Sequence, residues 1–152
     1  MSVNARQFNN GILNMIEIHS YDFYIVQRDL EKACTCVGAA TDQAAVDCPK
    51  CLGTGYKIKI TKTRGAAQDT KLPSTFRGDQ FLIARNYFVP NAHAVLKDDD
   101  LIVDDQDVYL VFEHQKMLAI KGQMPYNKYS SIKKKFDSKA FFKNFNKIVN
   151  RG

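Results

Sequence analysis

Four cysteines in a chain of 152 residues set the strongest constraint on how it folds: Cys34-Thr-Cys36, eleven intervening residues, then Cys48-Pro-Lys-Cys51-Leu-Gly-Thr-Gly55. Two close pairs can wrap one ion, and glycines after the second pair let backbone amides approach the sulfurs. Four thiolates satisfy Zn²⁺ tetrahedrally and leave no open position, so the expectation is one structural zinc per chain, held by Cys34, Cys36, Cys48 and Cys51. The alternatives are two disulfides or four free thiols. The start MSVNARQFNN lacks a charged-then-apolar leader and no run approaches the roughly 20 apolar residues that span a bilayer, so a cytosolic, reducing setting is expected, which argues against disulfides.

The flanks of the cysteine segment, residues 33–55, read as strands. Tyr21–Arg28 is rich in aromatic and β-branched residues. Tyr56–Thr63 alternates, with Tyr56, Ile58 and Ile60 on one face and Lys57, Lys59 and Lys62 toward solvent. Before them, Val3, Phe8, Ile12, Met15 and Ile16 recur at helical spacing, which predicts a helix over 3–18 that His19 ends. Arg64–Asp79, with Gly65, Ala66, Ala67, Pro73 and Gly78, reads as a long loop.

Short strands are expected at Gln80–Val89, Ala92–Leu96, Asp100–Val103, Val108–Glu113 and Met117–Gly122, with turn residues between them. Six aspartates fall within 98–107; they lack the ligand order of an EF-hand and read as polar turns. The fold class is therefore mainly β (α+β): a small β-barrel or sandwich with an N-terminal helix, a zinc-pinned loop insertion and a short C-terminal helix or tail. The division expected is one β-rich domain over 1–125 and a basic extension over 126–152.

That extension carries the charge. Of the +6 net charge, residues 121–152 contribute nine Lys/Arg against Asp137. Within it, Phe136, Ala140, Phe141, Phe145, Ile148 and Val149 suit an amphipathic helix over Ser138–Val149. Lys133, Lys134, Lys135, Lys139, Lys143 and Lys147 are candidates for contact with nucleic acid or an acidic partner, against the plainer reading of a solvated face. Phe136, Phe141, Phe142 and Phe145 suit a buried face better than base stacking. His19, His93 and His114 are isolated, and the sequence has no nucleophile elbow, phosphate-binding loop or deaminase pattern, so no enzymatic activity is expected.

Cys48–Gly55 resembles the CxxCxGxG zinc module of DnaJ-type co-chaperones, here in a single copy and without a His-Pro-Asp J-domain signature. The larger plan, with its run Leu96–Val111 as a hairpin of Asp-x-Ile, turn, Tyr-x-Val, is similar to the neck proteins of tailed bacteriophages, the head-closure (stopper) and head–tail connector group. That resemblance implies a non-enzymatic virion protein, assembled in host cytoplasm into a ring of its own copies beneath the portal. Its implied partners are portal and tail or neck proteins, with non-specific contact to packaged DNA and none to membrane. The alternatives are a zinc-ribbon nucleic-acid-binding protein, using Lys57, Lys59, Lys62 and Arg64 beside the metal, and a tail or baseplate structural protein.

Overall fold

A computed structural model describes residues 14–37, 48–73, 81–91, 93, 95–119, 122–136 and 138–151. Six antiparallel strands close into a barrel: β1 (Tyr21–Ala33), β2 (Tyr56–Pro73), β3 (Phe81–Pro90), β4 (Leu101–Asp104), β5 (Asp107–Ala119) and β6 (Gly122–Lys133), in the order β1-β2-β3-β6-β5-β4. A short helix, α1, occupies residues 14–18 before β1, and α2 (Lys139–Arg151) follows β6. The fold is thus mainly β with a helix at each end. The chain divides into two compact units: residues 1–25 with 62–134, and residues 26–61 with 135–152.

The core of the first unit follows from period-two alternation. Phe23 and Ile25 of β1, Tyr87 and Val89 of β3, Ile102 of β4, Val111 of β5 and Tyr129 of β6 are buried together with Leu96. Registers such as Tyr87↔Tyr129 and Ile102↔Tyr109 bring these side chains into common layers. Phe23 meets Tyr87 at 5.1 Å between ring centroids, and Tyr87 meets Tyr109 edge-on at 5.6 Å. Tyr rather than Phe at 87 and 21 is explained by a polar cluster. Both hydroxyls donate to Asp104 Oδ2, at 2.7 and 2.6 Å, while Arg85 donates to Tyr87, Tyr21 and Asp69. Every polar group drawn into this part of the core is thereby matched.

Several expected boundaries differ. Residues 64–73, expected as a loop, continue β2 and pair with β3 from Ala66↔Phe88 to Pro73↔Phe81. The small residues that suggested a loop have a packing cause: a Cβ on Gly65 would lie 2.1 Å from the Phe88 carbonyl oxygen and 3.1 Å from the Phe23 ring. The rest of that expected loop, 74–79, lies outside the described residues, as do residues 1–13 of the expected first helix.

No strand forms among the described residues of 92–96. Leu96 enters the core in irregular backbone because its N–H donates to the Tyr129 hydroxyl and the Lys97 N–H to Asp100 Oδ2. The strands expected at 108–113 and 117–122 are one strand, β5, because two register shifts against β6, between Val111 and Glu113 and between Lys116 and Leu118, absorb the break in alternation. Residues 126–133, read as the start of the basic extension, belong to β6. The aspartates of 98–107 serve turns and the core: Asp99 and Asp105 adopt positive φ, Asp104 takes the tyrosine hydroxyls, and Asp107 pairs with Lys133.

Candidate metal centre

In the second unit, β1 and β2 continue over residues 26–33 and 56–61 and carry the cysteines between them. The Cys34 N–H donates to the Gly55 carbonyl at 2.8 Å, tying the end of one strand to the start of the other. The Val37 N–H returns to the Cys34 carbonyl, making a tight turn that brings Cys36 back beside Cys34. On the other side, Leu52 N–H bonds the Cys48 carbonyl and Thr54 N–H the Cys51 carbonyl. Thr54 Oγ1 then bridges to Tyr56, fixing the entry into β2.

The second turn demands left-handed backbone: Leu52, Gly53 and Gly55 have φ of 55°, 84° and 83°. Glycine adopts that region without a Cβ penalty, which accounts for Gly53 and Gly55. Leu52 takes it too, with its side chain buried. The result is a ring of amides around the sulfurs. The N–H groups of Cys51 and Lys50 face Cys48, and those of Gly55 and Gly53 face Cys51.

The four sulfurs lie within 4.8 Å of one another, with Cys34 Sγ 3.7 Å from Cys48 Sγ and Cys36 Sγ 3.4 Å from Cys51 Sγ. Four thiolates at about 2.3 Å from a shared tetrahedral ion sit about 3.8 Å apart, so the spacing fits one metal ion. It exceeds the roughly 2.05 Å of a disulfide, and all four cysteines are free thiols. Cys34, Cys48 and Cys51 are buried and Cys36 is half-buried, which screens the site from solvent. Burial opposes ionisation of Cys48, but the amides outweigh it and hold the thiol down to about 7. Burial and the neighbouring sulfurs push Cys51 up to about 12. A cluster that resists carrying four negative charges at once is one that a divalent cation stabilises.

The basic candidates separate. Lys133 closes an ion pair with Asp107 at 3.0 Å, which raises its pKa, while Lys134 is half-buried and desolvation lowers its pKa. Lys135, Lys139, Lys143 and Lys147 are exposed. Lys62 and Arg64 belong to the first unit, 3.9 and 3.8 Å from Asp22, whereas Lys57 and Lys59 are exposed on the part of β2 in the second. Phe141 and Phe145 are buried and stacked at 5.9 Å, with Phe136 and Phe142 packed edge-on against Phe141. The histidines stay apart: His19 follows α1, His93 lies in a bend, and His114 stacks on Tyr129 and contacts Asn127.

Sequence reasoning missed the Tyr21–Arg85–Tyr87–Asp104 cluster. Its members are scattered over three strands, and the one available signal was Tyr and Arg at inward positions of otherwise apolar strands. Among the described residues, no helix is long and apolar enough to cross a membrane. Searched against models of known protein families and against curated proteins, the chain matches none.

Proposed function

We propose that the chain is a non-enzymatic structural protein of the neck of a tailed bacteriophage, part of the head–tail connector or head-closure ring that joins portal to tail. The observation that carries this reading is the β4–β5 hairpin inside a closed barrel. In the run that resembles neck proteins, Ile102 of Asp100-Leu-Ile102 pairs with Tyr109 of Tyr109-Leu-Val111, and Val111 donates its N–H to the Asp100 carbonyl. Both apolar ends, Ile102 and Val111, are core residues. A closed barrel is a rigid body suited to repetition around a ring, because closure removes the free sheet edges that otherwise pair indiscriminately.

The metal in this reading is zinc, bound once per chain and structural, since four cysteines fill its coordination. It stiffens a segment whose own apolar core is small. Copies of the chain, the portal and the tail or neck proteins are the partners, and the virion neck is the location. The test is deletion of the gene from the genome that encodes it, followed by electron microscopy of the particles. The expected result is heads that lack tails or leak DNA, restored by the gene in trans. Normal tailed particles without the protein would overturn the reading.

A further inference from the structure

The exposed face of α2 is built from one chemistry. Lys139, Lys143 and Lys147 recur every four residues, so they share a stripe about 12 Å long, and exposed Asn146 and Asn150 extend it. Lys135 is exposed just ahead of the helix. The helix itself contains no acidic residue, and residues 135–152 hold five Lys/Arg against Asp137, the larger part of the chain's +6 net charge. Such a concentration on a single helix needs an anionic counterpart.

The residues on that face also say which kind. An acidic protein surface is ordinarily gripped through Trp, Tyr or Arg anchors that fill pockets. The described exposed face of α2 offers none: Phe141 and Phe145 are buried, and Phe142 is half-buried against both. The same burial removes the stacking platforms that single-stranded nucleic acid uses. Lysine point charges with amide side chains between them suit phosphate oxygens, which require neither pocket nor base contact.

We infer that the Lys139–Lys143–Lys147 face of α2, with Lys135, binds the phosphate backbone of double-stranded DNA without regard to sequence. Lys133 and Lys134 take no part, the first being paired with Asp107 and the second half-buried. This inference does not rest on the virion reading, and its test uses the purified chain rather than particles.

The test is fluorescence anisotropy of the metal-loaded chain with two unrelated DNA duplexes, a single strand of equal length and polyglutamate, from about 50 to about 200 mM salt. Both duplexes should bind alike, more tightly than the single strand or polyglutamate. The slope of log affinity against log salt should be about −3 to −4 for four engaged lysines. Lys139→Gln with Lys143→Gln and Lys147→Gln should shrink that slope by about 2.7, while the Lys→Arg triple should keep it, showing that charge rather than folding is lost. Removing three exposed charges from the first unit, Lys62→Gln, Arg64→Gln and Lys97→Gln, should leave it unchanged. Failure of the wild-type chain to bind duplex, a preference for polyglutamate or single strand, or a Gln triple that keeps the full slope would each overturn the inference.

Discussion

The two units solve the problem of stability by different means. In the first, Phe23, Ile25, Tyr87, Val89, Leu96, Ile102, Val111 and Tyr129 form a continuous apolar core, and the polar atoms beside it are matched. In the second, the buried apolar side chains among the described residues are Val26, Leu52, Phe141 and Phe145, and the remaining buried positions are mostly cysteines. Hydrophobic burial holds one; the ligand cluster must hold much of the other. Small units that cannot bury enough apolar surface are commonly stapled by a metal, whose binding energy is then folding energy.

The largest effect expected from this contrast is local. Cys51→Ser removes the most buried ligand and should abolish stoichiometric metal binding, where structural zinc is worth on the order of 10 kcal/mol in isolated zinc modules. Limited proteolysis should then cut within 34–55 while the barrel core remains resistant. Uniform loss of protection would show the units to be one cooperative structure.

Phe23→Ala probes the other side of the contrast. It removes a fully buried ring and should cost about 3–5 kcal/mol, read as a lower urea midpoint, with metal content kept at temperatures below the transition. Gly65→Ala should follow at about 1–3 kcal/mol, because its Cβ would meet backbone at Phe88 rather than a movable side chain.

A smaller effect is expected with pH. Burial and the bond to Asp104 push Tyr21 up to about 12 from 10, so the folded state keeps this proton longer than the unfolded chain does. Its contribution to stability is complete below pH 10 and is lost as pH rises toward 12. Thermal melts across that range should fall less steeply in Tyr21→Phe than in the wild type. A parallel decline would place the alkaline sensitivity elsewhere.

The cysteine site was legible in the sequence because its ligands are close along the chain and its turns need Gly53 and Gly55. The helix at 138–149 and the alternation of Tyr56–Ile60 were legible for the same reason: local period carries the signal. What was not legible depends on residues distant in sequence. Gly65 looks like a loop residue until Phe88 and Phe23 are placed against it, and Leu96 looks like part of a strand until Tyr129 supplies the bond that holds it in irregular backbone. The continuity of β5 was hidden by two register shifts, which break alternation without breaking pairing. The polar cluster around Asp104 joins residues up to 83 positions apart, a relation that no local pattern encodes.

The measurement that tests the account most directly is the metal content of the purified chain by elemental analysis, paired with limited proteolysis before and after chelation. The account predicts about one zinc per chain, set by the single four-cysteine cluster found among the described residues, with chelation exposing 34–55 and leaving the barrel intact. A chain that carries no metal, resists proteolysis equally with and without chelator, or forms disulfides among these cysteines under reducing conditions would contradict it.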